Sequence, residues 1–302
     1  MKRKVIKQGN QAFTLTLPID WVRKNKVDKN LELDVKEEGK SLLINSSGEV
    51  EGGRVKLDLS GQNTRVIFIH VSSLYAKGID EIEIISKEDI SQKLIKAAAN
   101  TIGYAVVLQE KERYIIKDIS GGKYPDIEEI FKRVFQMILM FYEACMNDVF
   151  GEEKETADNL KLRDREINKF CLYLQRAINK MSYPDAIRGR SLFTYAFELE
   201  KISDEVERAW RTNVQYKIKK TKEIKQLMDK VKEGLEESFD SYYMFNPKKV
   251  EIIRLLRDKV RKDSQKIKIT DGNTFRFIRH LVKIIEEAAD LSQLNVMMRL
   301  KE

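Results

Sequence analysis

Six residues of one apolar stripe recur 82 positions further along this 302-residue chain, and that repeat constrains the fold more than any other feature. Phe193, Tyr195, Leu199, Ile202, Val206 and Ala209 are matched by Phe275, Phe277, Leu281, Ile284, Ala288 and Leu291. Their spacing is helical, and each series carries carboxylates beside the stripe. Two copies of one acidic helix predict a pseudo-symmetric bundle.

The rest of the second half fits that plan. From Pro125 onward apolar residues keep helical spacing. Phe131, Val134, Phe135, Ile138, Tyr142, Cys145, Met146 and Val149 run over about five turns to Gly151. A second helix is expected from Thr156 to Met181, before a break at Tyr183-Pro184 and Gly189. In the other copy Leu227, Val231, Leu235 and Phe239 stripe one helix, Asn246-Pro247 opens the next, and Asp271-Gly272 precedes the last. Three helices therefore occur twice, with repeats at about 125–215 and 216–302.

The first 47 residues have another character. Phe13, Leu15 and Leu17 alternate with Thr14 and Thr16 up to Pro18, which predicts a half-buried strand. Asp20 to Lys26 reads as a helical turn around Trp21 and Val22. Leu31 to Val35 and Leu42 to Ile44 read as two more strands. A sheet this short has little interior of its own, so pairing with a second chain is expected.

Between these parts, residues 48–120 read as a small α/β connector. Val55 to Leu59 is a strand, Ile82 to Ile85 another, Leu94 to Ile102 a helix, and Val106 to Leu108 with Tyr114 to Ile116 a hairpin. Val66 to Tyr75 reads as a helix ending at Gly78, although its β-branched run would also suit a strand.

Charge separates the head from the remainder. Residues 1–30 hold eight basic side chains against Asp20 and Asp28, which accounts for most of the net +8. A compact basic head attracts phosphodiester backbones, because each neutralised phosphate releases a condensed counterion. Lys2, Arg3, Lys4, Lys7, Arg23, Lys24 and Lys26 are the candidate phosphate contacts. Gln8, Asn10, Gln11, Thr14 and Thr16 are the candidates for reading base edges. A barrel that only dimerises would carry the same residues.

The residues Lys7-Gln8-Gly9-Asn10, Thr14-Leu15-Thr16-Leu17-Pro18 and Trp21-Val22, with the strands at 31–35 and 42–44, resemble the AbrB family of swapped-hairpin transition-state regulators. The resemblance implies that two chains interlace into one barrel and that the dimer binds DNA. Asn30 stands where that family usually has Gly.

On the third helix of each copy, Phe193, Phe197, Glu200 and Asp204 share one column, as do Phe275, Ile278, Val282, Glu286 and Asp290. Desolvation in such a column raises carboxyl pKa values or recruits Lys, Arg or a metal ion. An ordinary ion pair, such as Asp204 with Arg208, is the competing reading. The segment Leu199-Glu200-Lys201-Ile202-Ser203-Asp204 and its weaker copy Leu281 to Glu286 resemble the PhoU family of phosphate uptake regulators, built as two tandem three-helix bundles. Val282 departs from the pattern at the first carboxylate position, and Asn168 stands where relatives carry Asp.

The resemblance implies metal ions, iron or zinc among them, at Glu200, Asp204, Glu286 and Asp290, and contact with a phosphate ABC transporter ATPase. All-oxygen donors favour Mg²⁺, Mn²⁺ or iron. Head and helices together resemble archaeal-type phosphate uptake regulators.

The expected fold class is thus α+β and mostly α: a dimeric swapped-hairpin barrel at 1–47, an α/β connector at 48–120, and two three-helix bundles at 121–302. The expected role is a DNA-binding regulator of phosphate uptake; a non-DNA-binding dimeric adaptor on the transporter ATPase is the alternative. A di-metal enzyme is disfavoured because no Glu-x-x-His pair occurs, no phosphate loop is present, and His70 and His280 read as ordinary helix residues. Cys145 and Cys171 read as buried free thiols, and the absence of a signal peptide or membrane span predicts a soluble cytoplasmic protein.

Overall fold

The computed structural model describes residues 3–9, 12–28, 32–38, 41–46, 53–121, 126–151, 156–181, 186–269 and 271–300. They divide into two compact units, Met1–Glu51 and Gly52–Glu302.

The first unit consists of two hairpins and a short helix. Strands β1 (Ile6–Gln8) and β2 (Ala12–Thr14) pair antiparallel, with Lys7 opposite Phe13, and Gly9 adopts φ of +69° where the chain turns. Helix α1 is Ile19–Lys24, and β3 (Leu33–Glu38) pairs antiparallel with β4 (Ser41–Ser46), Val35 opposite Ile44. The strand expected through Leu17 stops at Thr14, and Phe13 is 67% exposed rather than half-buried. The physical reason is that a lone two-stranded ribbon has no facing layer. Among the described residues of one chain, the hairpins form two separate two-stranded sheets and close no barrel.

The second unit begins with a four-stranded sheet in the order β5-β6-β8-β7, from β5 (Gly53–Asp58), β6 (Ile79–Ile85), β7 (Tyr104–Glu110) and β8 (Arg113–Asp118). β5 and β6 are parallel and are joined through α2 (Thr64–Lys77); α3 (Ser91–Ala99) links β6 to β7, and the other pairings are antiparallel. The β-branched run at 66–71 is helical. Asn63 Oδ1 accepts the Val66 N–H at 3.0 Å, Gly78 caps the far end at φ of +93°, and Ile67, Val71 and Tyr75 bury one face at four-residue intervals. Burial of that stripe outranks the modest helix propensity of β-branched residues.

Six long helices follow among the described residues: α4 (Ile127–Phe150), α5 (Ala157–Lys180), α6 (Ala186–Tyr216), α7 (Lys222–Tyr243), α8 (Pro247–Lys266) and α9 (Gly272–Arg299). Their ends carry the capping chemistry visible in the sequence. Thr156, Asn246 and Asp271 accept backbone N–H bonds at N-termini, Pro247 opens α8, and Gly151 ends α4 in the left-handed region. The break expected at Tyr183-Pro184 lies outside the described residues. Gly189 does not interrupt α6.

The 82-residue repeat is the seam between α6 and α9. Tyr195, Leu199, Ile202, Val206 and Ala209 on one helix, and Phe277, Leu281, Ile284, Ala288 and Leu291 on the other, are all fully buried. Only the first matched pair is not: Phe193 is half-buried and Phe275 exposed. An aromatic cluster of Phe131, Phe135, Tyr195, Phe239 and Tyr242 joins α4, α6 and α7, with Phe135 and Phe239 stacked at 4.7 Å. Cys145 and Cys171 are buried and unbridged. Among the described residues no helix is long and apolar enough to cross a membrane.

Gly234 marks a close approach of α7 to α9. A Cβ there would stand 1.9 Å from Ile285 Cδ1. Gly234→Ala therefore forces Ile285 from its rotamer, and chemical unfolding should register a loss of about 1–3 kcal/mol despite the higher helix propensity of Ala.

The α/β layer is fastened to the helices by one buried cation. Arg176 on α5 is 1% exposed; its guanidinium donates to the carbonyls of Tyr75 (3.1 Å) and Ile79 (2.6 Å) and to the carboxylates of Asp118 (2.6 Å) and Asp80. The ring of Tyr75 lies 4.9 Å from its centre. Asn179 and Lys180 add bonds to the Ala76 carbonyl and to Asp80.

Candidate functional site

Two sets of residues carry candidate chemistry, one in each unit. In the first, Arg3, Lys4, Lys7, Gln8, Thr14, Thr16, Arg23, Lys24 and Lys26 are described, and all nine are exposed; Lys2, Asn10 and Gln11 lie outside the described residues. Register sorts part of the set. Directly opposed residues share a face of a ribbon and successive residues alternate, so Lys7 shares its face with Phe13, while Gln8 and Thr14 share the other with Ile6 and Ala12. The Thr14 hydroxyl donates to the Ile6 carbonyl at 3.3 Å within the hairpin. Arg23 and Lys24 occupy the last turn of α1, where the helix dipole favours cations. Beside these charges stand Val5, Ile6, Phe13, Leu15, Ile19, Val35 and Leu42, all exposed. Large apolar groups gathered in solvent in this way are a general mark of interaction surfaces.

In the second unit, Glu200 and Asp204 meet Asp164 of α5 and Glu207 of their own helix. Ser203 donates to Asp164 at 3.1 Å and Asn168 at 3.4 Å, so both uncharged neighbours are committed to the same carboxylate. Burial, reinforced by Asp204 and Asp164, pushes the Glu200 carboxyl up to about 7. Burial, reinforced by Asp204 and Glu207, pushes Asp164 up to about 6. Asp204 and Glu207 are raised for the same first reason, although Arg208 sits 2.7 Å from Asp204 and Arg211 sits 3.1 Å from Glu207. Glu200 alone of the four has no hydrogen-bond or ion-pair partner among the described residues.

The second copy has diverged. Val282 replaces the first carboxylate, Glu286 is held by Arg261 at 2.5 Å, and Asp290 faces Arg254 at 3.8 Å. Both arginines come from α8, so the column that α5 meets with Asp164 is met in the other repeat by cations. This donor set does not fit a metal ion at Glu286 and Asp290, whose charges are already matched. Among the described residues no group of three or more His, Cys, Asp or Glu side chains is arranged to hold one.

Sequence reasoning missed one well-connected buried carboxylate. Glu205, 3% exposed in the α6–α9 seam, has His280 Nδ1 at 2.7 Å and Lys283 Nζ at 2.8 Å, and also accepts from Arg208. Burial opposes its charge, yet these three donors hold its carboxyl down to about 2. The signal was available: carrying the 82-residue correspondence past the apolar stripe matches Glu205 with Glu287 and Lys201 with Lys283. Glu287 is buried in the same seam, with Lys283 at 3.4 Å. A symmetric seam has become an ionic latch between the repeats.

In comparisons with protein-family models, characterised proteins and solved structures, nothing matches this chain.

Proposed function

We propose that the protein is a DNA-binding regulator of phosphate uptake, paired through its first unit, whose helical half relays phosphate status, in part by contact with a phosphate ABC transporter ATPase. The observation that carries the DNA-binding part is the combination of solvated apolar and basic side chains on a unit whose described residues include no buried side chain. Two copies joined through Phe13, Leu15, Val35 and Leu42 would bury the former and double the latter. The link to phosphate rests on the likeness of Leu199 to Asp204, and of its repeat, to the PhoU pattern. The uncompensated carboxylates around Glu200 supply a second support, because groups held against their preferred ionisation concentrate at functional sites. The role is regulatory rather than enzymatic.

Titration of DNA from upstream of phosphate-transport genes, over a range of salt, tests the reading. Replacing Lys7, Arg23 and Lys24 with Ala should reduce the slope of log affinity against log salt by about 3 per chain, near 0.9 for each lost phosphate contact. An unaltered slope removes these three from the interface. No binding even at low salt would leave the dimeric adaptor on the transporter ATPase as the better reading.

A further inference from the structure

We propose that the outer face of α7 and α8 is a second self-association surface, on which the acidic row of α7 in one copy lies against the lysine row of α8 in another. It is separate from the pairing assigned above to the first unit.

Among the described residues the α8 helix packs only against α7 and α9. Its opposite side presents Lys248, Ile252, Leu255, Lys259 and Lys262, spaced four, three, four and three residues apart, hence on one face. Leu255 is 61% exposed at the middle of this row. The α7 helix presents Asp229, Glu233, Glu236 and Asp240 with the same kind of spacing, again on one face.

Both rows look away from α9. On α7 the side turned to α9 is Gly234 and Ser238, whose hydroxyl donates to the Ala288 carbonyl. On α8 it is Arg254 and Arg261. Lys230 with Asp263 at 2.5 Å, and Lys249 between Glu237 and Asp240 at 4.0 and 3.8 Å, close the seam between the two antiparallel helices. An acidic row and a lysine row therefore run side by side on one surface.

Their levels match. The Lys230–Asp263 bridge puts Asp229 level with Lys262, and one turn further Glu233 is level with Lys259. A twofold axis parallel to the helices lays α7 of one copy on α8 of the other without changing level. Asp229 and Glu233 then meet Lys262 and Lys259 in both directions, with Leu255 one turn beyond Lys259. None of these four charged residues has an ion-pair partner among the described residues.

The acidic row also decides against other occupants. A nucleic acid or an anionic bilayer attracted to the lysines would be repelled by the carboxylates of the adjoining helix, whereas a second copy satisfies both. Two helices of this length cover roughly 600 Å² per copy, the low end of specific interfaces, so association should be concentration-dependent and weakened by salt.

Analytical ultracentrifugation of the full chain tests this. Lys259→Glu with Lys262→Glu gives one variant; Asp229→Lys with Glu233→Lys gives the other. Each alone should sediment with at most half the wild-type mass, because like charges now face each other. Mixed one to one, the two should regain the wild-type mass, since one presents only acid and the other only base. Recovery on mixing also shows that both are folded. If either variant keeps the wild-type mass, or the mixture fails to regain it while circular dichroism shows intact helices, the proposal falls. A wild-type mass of two chains that neither variant changes overturns this surface and leaves the first-unit pairing standing. A wild-type mass of one chain overturns both.

Discussion

Arg176→Met should destabilise the protein by about 3–5 kcal/mol, more than is expected of any change at Gly234 or Glu200. Methionine approximates the length and apolar packing of the arginine stem but carries neither charge nor donors. Asp118 and Asp80 would lose the guanidinium between them, and the Tyr75 and Ile79 carbonyls would lose their N–H partners in a buried site. Burial alone would raise the Asp118 carboxyl, and its bonds from Ser120 and Arg176 together keep it below the usual range. Removing the arginine therefore leaves a partly desolvated anion with only Ser120 for support. The damage should be directional: α2, β6 and β8 supply the four acceptors and α5 the donor, so the α/β layer should loosen before the helices do. Urea unfolding would give the magnitude, and hydrogen exchange would place it, with α2 and β6 amides losing protection first. A loss below about 1 kcal/mol would mean that water replaces the guanidinium at little cost, and that the two layers are held by apolar packing alone.

Nothing in the sequence around Arg176 announces this role. An arginine in a helix is normally a solvated residue, and its partners lie at positions 75, 79, 80 and 118, in other elements altogether. The helices themselves were legible because their signals are local: apolar residues at three and four, Thr156, Asn246 and Asp271 at N-termini, and Gly78 and Gly151 at C-termini. The apolar half of the 82-residue repeat marked the α6–α9 seam for the same reason. The strand expected through Leu17 ends early because period-two alternation identifies a face without saying what covers it. Among the described residues of one chain nothing does, and Phe13 and Leu15 stand in solvent.

The acidic site shows both limits. Glu200 and Asp204 were legible from helical spacing, whereas Asp164 comes from another helix and Glu207 lies off the column. Whether a carboxylate meets a cation depended on α8 supplying arginines where α5 supplies Asp164, and a one-dimensional pattern does not carry that information.

Glu200→Gln should stabilise the protein at neutral and higher pH and change nothing below the ordinary glutamate value. The folded-state carboxyl titrates at about 7, above the ordinary glutamate value of the unfolded chain. A group whose pKa is raised by folding holds its proton more tightly in the native state. It therefore costs nothing below the unfolded value, becomes increasingly unfavourable as pH rises from there to the folded one, and levels off above it. At about 1.4 kcal/mol for each tenfold change in proton affinity, and allowing for the part solvent screens, the ionised Glu200 costs roughly 2–3 kcal/mol at pH 8. Glutamine keeps the shape, removes the charge, and relieves Asp164 and Asp204 of a repulsive neighbour. Thermal midpoints of the two proteins should coincide below about pH 4, separate progressively up to about pH 7 and change little beyond it, the variant melting higher. Asp164→Asn should give a smaller separation of the same sign, since its carboxyl is lifted only to about 6 and Ser203 already supports its charge. A Glu200→Gln variant that melts lower than the wild type at pH 8 would reverse the argument, because the native carboxylate would then have to be stabilised by a partner that binds it in solution. A selected protein retains a penalty of this size where the charge does something that glutamine could not.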